Sequence, residues 1–227
     1  MVDLISLQQK LGFSFKDTSL LDQALIHSSY INENPDMAPI SNERLEFLGD
    51  AVLGLVIAEK LYQDFPESDE GQMTRLRAAL VRRETLALIA QEINLGNCLF
   101  LGKGEEAGGG RTKPVNLAGA LESLFASIYL DQGLDVTRAI ILKLFSTEII
   151  RQAHQISEID YKSKLQEIIQ AQRQQTPSYH TVEAVGPDHA RQFTVEVKVG
   201  DTVLGQGIGK SKKSAEMEAA RSALEAF

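Results

Sequence analysis

The chain has 227 residues, a formal net charge of −8 at pH 7 and one cysteine. A single cysteine cannot pair within the chain, so the composition excludes a disulfide-stapled domain. Cys98 alone indicates either a reducing compartment or simply a small buried hydrophobic residue. The hydrophobic fraction of 43% and the charged fraction of 24% are ordinary for a globular protein and exclude disordered, collagen-like and coiled-coil classes. At this length we expect one or two domains, each with its own core.

The chain lacks the sequence features of a membrane or secreted protein. No apolar run reaches the roughly 18 residues that a spanning helix requires. The first ten residues, MVDLISLQQK, have neither the basic start nor the small-residue cleavage site of a signal peptide. We therefore predict a cytoplasmic location and no membrane partner.

The negative charge is unevenly distributed. Proteins that bind phosphates usually present a basic face, because the release of counterions supplies much of the affinity. Residues 1–157 contain 14 basic and 21 acidic side chains, whereas residues 158–227 contain 9 and 10. The acidity belongs mainly to the first part, so the net charge alone does not exclude a nucleic acid as a partner of the second.

Helical spacing dominates the first 150 residues. Apolar residues recur at intervals of three and four, as in Leu48, Val52 and Leu55, and this spacing predicts amphipathic helices. Breaks rich in proline or glycine separate the helical stretches, at 34–40, 64–70 and 102–110. We predict an all-helical domain over 1–150, with a flexible loop at the glycine cluster.

The pattern changes in the last third of the chain. Residues 151–159 are polar and weakly periodic, which indicates a linker. Over 160–227 the alternation and the β-branched content predict strands between two helices. The expected elements are a helix at 161–173, strands at 179–185, 192–199 and 202–207, and a helix at 212–226 that Ser211 caps. The fold class is thus a helical domain followed by a small α-β-β-β-α domain of the α+β class.

An acidic stripe marks the segment 42–61, NERLEFLGDAVLGLVIAEKL. On a helix, Glu43, Glu46 and Asp50 fall within an arc of about 60°. Apolar residues occupy most of the remaining surface, so we expect a core helix. In a partly desolvated setting each pair of like charges costs on the order of 2–4 kcal/mol. A bound divalent cation would offset this repulsion. The alternative is that acids merely favour the positive end of the helix dipole, which accounts for the first turn but not for Asp50.

A second helical stretch, LAGALESLFASIYL at 117–130, carries Glu122 as its sole charge. An acid in such an apolar stretch is rarely buried unless it is paired or binds a metal. The four histidines lack metal-ligand spacing, and GKGEEAGGGR at 102–111 lacks the lysine and Ser/Thr of a phosphate-binding P-loop. Acidic residues without a histidine or cysteine nucleophile suit metal-assisted phosphoryl chemistry. Glu70, taken alone, is typical of a solvated turn.

These segments resemble a known family. NERLEFLGDAV at 42–52 is similar to the signature of the ribonuclease III family, and FPESDEGQMTRLRAALV and LGKGEE follow in the expected order. KSKLQE, GPDH and GQGIGKSKKSAEMEAA resemble the double-stranded RNA-binding domain of that family. The resemblance covers essentially the whole chain, with one catalytic and one binding domain.

The resemblance implies a Mg²⁺-dependent endoribonuclease, with Mn²⁺ as a substitute, that acts as a homodimer on double-stranded RNA. Glu46, Asp50 and Glu122 would be metal ligands, with Asp50 and Glu122 catalytic, and Glu43 and Glu70 would line the valley that accepts the duplex. The implied substrates are ribosomal, messenger and other structured RNA. The implied products have 5′-phosphate and 3′-hydroxyl ends with short 3′ overhangs.

The resemblance also places three RNA-binding surfaces on the small domain, suited to a duplex that is recognised by shape. Side chains of the first helix would contact 2′-hydroxyls and base edges, a loop histidine would enter the next minor groove, and lysines at the last helix would meet phosphates. The residues are Ser163, Gln166 and Gln170, then His189, then Lys210, Lys212 and Lys213. Alternatively, these lysines are simply the solvated start of a surface helix. Cations are unfavourable at the positive end of the helix dipole, however, and a bound external anion such as a phosphate would offset that unfavourable energy.

One position departs from the family pattern. Gly119 stands where the family carries an aspartate three residues before its catalytic glutamate. Mg²⁺ commonly keeps several waters, so a water could replace the missing oxygen. The departure motivates one alternative to the active enzyme, an RNA-binding protein with impaired catalysis. A further alternative, independent of Gly119, is a helical scaffold dimer that uses RNA only incidentally and whose acids bind no metal.

Overall fold

A computed structural model of the chain describes residues 4–34, 40–187 and 191–226. For residues 153–160 and 173 it describes the backbone only. The chain divides into two compact units, Met1–Gln152 and Ala153–Phe227. Among the described residues, no helix combines the length and the apolar character needed to cross a membrane.

The first unit is helical, as predicted. Its helices are α1 (Leu4–Leu11), α2 (Thr18–Ala24), α3 (Ser28–Glu33), α4 (Glu43–Asp64), α5 (Glu70–Val81), α6 (Arg83–Glu92), α7 (Lys103–Ala107) and α8 (Pro114–Gln132), followed by α9 (Leu134–Arg173). Short 3₁₀ turns lie at Leu95–Cys98 and Gly110–Thr112. The glycine cluster expected to be a loop is therefore partly helical, because α7 and the second 3₁₀ turn fall within it.

Helix α8 is largely buried and packs against α2, α4 and α6. Its sequence is small and apolar on all sides, and Leu121, Leu124 and Phe125 are completely buried. Pro114 occupies the first turn, where its missing N–H costs no helical hydrogen bond. Gly133, with φ of 82°, ends the helix in a conformation that glycine adopts readily.

The helix expected at 161–173 is the final part of the 40-residue α9. Residues 134–173 contain neither glycine nor proline, so no residue interrupts the hydrogen-bonding pattern. The segment 151–159, interpreted as a linker, lies within this helix. A linker that is polar and weakly periodic can thus still be helical.

The second unit has the predicted α-β-β-β-α order. Strands β1 (Ser178–Val185), β2 (Gln192–Val199) and β3 (Thr202–Gly209) form an antiparallel sheet in that order, and α10 (Lys212–Leu224) follows. Strand β3 extends two residues beyond its predicted end. The core consists of residues from α9, β2 and α10: Leu165, Ile169, Val195, Val197, Val199, Ala215, Ala219, Ala220 and Ala223.

Glycines on β3 allow α10 to lie directly against the sheet. A Cβ at Gly207 would lie 2.2 Å from the backbone N of Ala219 and 2.4 Å from the carbonyl O of Ala215. Only a residue without a side chain fits such an approach. The segment GQGIG therefore fixes the position of the helix that begins with the lysines.

Candidate functional site

Helices α4 and α8 cross at Gly49. A Cβ on Gly49 would lie 1.8 Å from the carbonyl O of Glu122, so α4 contacts the α8 backbone directly. A second tether joins α8 to the start of α4, where the Ser123 hydroxyl is 3.1 Å from the carbonyl O of Asn42 and 2.7 Å from that of Gly119. This crossing brings Glu46 and Asp50, on either side of Gly49, near Glu122.

The three acids influence one another electrostatically. Partial burial, together with the negative charges of Asp50 and Glu46, raises the pKa of Glu122 to about 7. Partial burial also raises the pKa of Glu46, with a contribution from Glu43 that His27 opposes. Glu43 and Asp50 are exposed. The acidic stripe thus lies at the boundary between the core and solvent.

The donor set fits a divalent cation chemically, because carboxylate oxygens are the ligands that Mg²⁺ prefers. A cation would also offset both the burial of the Glu46 and Glu122 carboxylates, which is the main cause of their raised pKa values, and the repulsion from neighbouring acids. Within the described parts of the chain, however, no group of three or more His, Cys, Asp or Glu side chains is close enough to hold an ion. The carboxylates would therefore have to close around the metal as it binds.

A pocket of about 90 Å³ lies beside Glu43 and Glu46, between the start of α4 and the start of α8. Its lining includes His27, Asn42, Glu43, Glu46, Asn116 and Gly119. The pocket places Gly119, the position that departs from the family pattern, directly against the acidic stripe.

A polar network, which the sequence interpretation missed, supports the start of α8. Asn116 is buried, and its side-chain amide donates to Glu105 Oε1 and to the carbonyl O of Gly110, at 2.8 and 2.9 Å. Lys113 Nζ lies 2.8 Å from the same Glu105 oxygen. Hydrogen bonds from Lys113 and Asn116 hold the pKa of the Glu105 carboxyl below its usual value. The signal in the sequence was a lone asparagine in an apolar helix.

One side of α4 contradicts the expected core helix. Phe47 is 82% exposed, Tyr62 73% and Leu55 55%. These side chains share a face that the rest of the unit does not cover, whereas Leu53 and Ile57 are completely buried. The apolar residues of α4 therefore lie on two different sides of the helix. One side is buried in the core, and the other forms an outward apolar stripe.

Glu70 lies apart from the other acids. It is the first residue of α5 and is exposed. It lines a groove of about 460 Å³ between α4 and α5, together with Leu55, Tyr62 and Met73. Within one chain, Glu70 is thus next to the apolar stripe and not in the pocket that contains Glu46.

In the second unit, the described side chains predicted for RNA contact are on the surface. Ser163, Gln166 and Gln170 are exposed and line one groove of about 560 Å³ on α9. Lys162, next to Ser163, ties three elements together: its Nζ lies 2.6 Å from Glu216 on α10 and 4.2 Å from the centre of the Tyr179 ring on β1.

Lys210, Lys212 and Lys213 are exposed at the start of α10. Ser211 caps this helix, with its hydroxyl accepting from the Ser214 N–H at 3.1 Å, and the first turn carries no acid. The amino end of the helix and the lysines thus present positive charge together. His189 lies outside the described residues.

Comparisons with known proteins find matches to both units of the chain. The family model described as Ribonuclease-III-like matches residues 17–149, and the double-stranded RNA binding motif matches residues 161–226. Ribonuclease 3 of Dehalococcoides mccartyi is 54% identical, over 100% of this chain and 96% of the relative. Ribonuclease 3 of a Roseiflexus species is 46% identical, over 97% and 94%. A solved nuclease domain of ribonuclease III from Campylobacter jejuni, 41% identical, matches with a TM-score of 0.60 over 64% of this chain and 97% of that domain.

Proposed function

Because the chain belongs to the ribonuclease III family, we propose that it is a Mg²⁺-dependent endoribonuclease that hydrolyses double-stranded RNA. The observation that carries this proposal is the α4–α8 crossing, which gathers Glu46, Asp50 and Glu122 in a chain that also has a double-stranded RNA binding motif. Ribosomal, messenger and other structured RNAs are the proposed substrates, and a cytoplasmic location stays a prediction.

Glu46, Asp50 and Glu122 would hold the cation through their carboxylate oxygens, and Mn²⁺ could take its place. When bound, Mg²⁺ supplies an activated water and neutralises the charge that develops on the phosphate. Asp50, which is exposed, and Glu122, at the helix crossing, are the acids that we assign to catalysis. Because the pKa of Glu122 is about 7, this carboxyl holds a proton part of the time at neutral pH and must release it to become a ligand.

A homodimer is part of the proposal. The outward apolar stripe of Phe47, Leu55 and Tyr62 suits a second copy of the chain, since large contiguous apolar patches on a soluble surface mark interfaces. The similar nuclease domain from Campylobacter jejuni has a structurally flexible region that is involved in dimer formation. In a dimer, one valley could receive both strands, with Glu43 and Glu70 among its acidic residues.

The second unit would hold the duplex by shape. Ser163, Gln166 and Gln170 would face a minor groove, and the lysines at α10 would meet phosphates across the major groove. His189 is proposed for the next minor groove. The products would have 5′-phosphate and 3′-hydroxyl ends with short 3′ overhangs.

The test is cleavage of a long RNA duplex in Mg²⁺, with binding measured separately in Ca²⁺. We expect Asp50→Asn and Glu122→Gln to abolish cleavage while leaving duplex affinity in Ca²⁺ unchanged. Glu92→Gln, an exposed acid at the end of α6, is the matched control and should cleave normally. Cleavage that survives both active-site changes would refute the assignment.

Gly119 favours a second candidate, a double-stranded RNA-binding protein with impaired catalysis. A magnesium titration of cleavage separates the two candidates. Efficient cutting at about 1 mM Mg²⁺ would remove the second, whereas duplex binding without cleavage at any Mg²⁺ concentration would remove the first.

A further inference from the structure

The α8 position one turn before Glu122 has no side chain, and Glu46 occupies the space beside it. A Cβ built on Gly119 would lie 2.6 Å from Glu46 Oε2, 2.8 Å from Cδ and 3.1 Å from Oε1. Contacts below about 3 Å are not tolerated by a carbon atom, so any side chain at this position would force the Glu46 carboxylate to move.

Moving the surrounding helices apart would cost more than moving the end of the Glu46 side chain. Gly49 holds the α4 backbone against the carbonyl O of Glu122, and the Ser123 hydroxyl holds the start of α4 through Asn42. On the next turn, Leu45 is buried in a cluster with Ala24 and Ala126. The group in the contact that can move is therefore the end of the Glu46 side chain.

We propose that Gly119 is a positioning residue, whose lack of a side chain keeps the Glu46 carboxylate against α8, on the Glu122 side of α4. The inference rests on the proposed function, in which Glu46 is a metal ligand. It gives the departure from the family pattern a specific consequence. The side chain of the family's aspartate would start at the point that the Glu46 carboxylate approaches in this chain. The Glu46 oxygens therefore lie next to the position from which the absent carboxylate would project.

The test measures Mn²⁺ affinity of the full chain without RNA, from the free Mn²⁺ signal in electron paramagnetic resonance. We expect Gly119→Ala to bind Mn²⁺ about 10-fold more weakly, the usual order of loss when a ligand's support is disturbed. Gly104→Ala in α7 is the matched control, because a Cβ there meets nothing within 4 Å. It should bind Mn²⁺ like the unmodified chain.

A double-mutant cycle shows whether the effect passes through Glu46. With Glu46→Ala in place, adding Gly119→Ala should change the Mn²⁺ affinity by less than about twofold. If Gly119→Ala binds Mn²⁺ as well as the unmodified chain does, or weakens binding equally without Glu46, the inference is overturned. The proposed function fails differently: the unmodified chain itself would then neither bind Mn²⁺ nor cleave duplex RNA.

Discussion

The two units place their candidate functional side chains in opposite ways. In the first, Glu46 and Asp50 meet Glu122 from a helix more than 70 positions away in the chain, at a backbone contact that depends on Gly49. In the second, the candidate side chains that the structure describes lie within one or two turns, either on the exposed face of α9 or at the start of α10. A metal site requires like charges to be held together by packing, whereas a surface that recognises a duplex by shape requires only the right face.

This contrast predicts that the first unit loses function through packing changes. Gly49→Ala places a Cβ 1.8 Å from the carbonyl O of Glu122, which forces α4 and α8 apart. We expect the free energy of unfolding to fall by about 3 kcal/mol and cleavage to be lost even where the variant is folded. Urea unfolding and duplex cleavage measure the two effects. Gly104→Ala is the control, and a Gly49→Ala variant of normal activity would contradict the crossing as the basis of the site.

The matching change in the second unit should spare catalysis. Gly207→Ala places a Cβ 2.2 Å from the backbone N of Ala219 and so displaces α10 with its lysines. We expect the second unit to lose about 2 kcal/mol of unfolding free energy. The KM for a duplex should rise while kcat at saturating RNA changes little. If kcat fell in Gly207→Ala as much as in Gly49→Ala, the proposed division of catalysis and binding between the two units would be contradicted.

A surface change that leaves packing intact should affect binding alone. Replacing Lys210, Lys212 and Lys213 by glutamine removes three exposed cations at a helix end whose cap, Ser211, stays in place. We expect duplex affinity to fall about 10-fold to 100-fold, and the slope of log affinity against log salt to decrease by about one per lysine. Filter binding at several salt concentrations measures this slope. Lys198→Gln on β2, whose lysine is paired with Glu196, serves as the control.

The same contrast explains what the sequence could predict. The helix that carries the acidic stripe, the three strands of the second unit and its last helix follow from local periodicity, and each was confirmed as an element in the structure. The Gly49 contact, the Asn116–Glu105 hydrogen bond and the outward face of Phe47 depend on which helix lies next to which. Apolar periodicity does not distinguish a side chain that faces the core from one that faces a partner.

The length of α9 shows a second limit. A change of pattern near residue 160 correctly marked a new set of elements, but it did not mark a break in the helix. A helix usually ends near a capping residue, a glycine or a proline. Residues 134–173 contain neither glycine nor proline. The signal for continuity was therefore present in the sequence.

The smallest expected effect concerns the charge of Glu122 in metal-free protein. Its pKa is raised from an ordinary value of 4.5 to about 7, mainly by partial burial. A carboxyl whose pKa is higher in the folded state stabilises the fold below the unfolded pKa, and this contribution is lost as the pH rises through the folded pKa. In EDTA, the unfolding free energy of the unmodified chain relative to Glu122→Gln should fall by about 1–2 kcal/mol between about pH 4.5 and 7.5, because partial exposure reduces the full value of the shift.

Adding Mg²⁺ at about pH 7.5 should restore that stability in the unmodified chain and not in Glu122→Gln, since a cation bound to the folded state offsets both the burial of the charged Glu122 carboxylate and its repulsion by Asp50 and Glu46. Urea unfolding at each pH, with and without Mg²⁺, measures both differences. If the two proteins differ by the same amount at every pH, the pKa of Glu122 is not raised in the folded state. A scaffold whose acids bind no metal would show the pH effect without the response to Mg²⁺, so this pair of titrations separates that alternative from the enzyme.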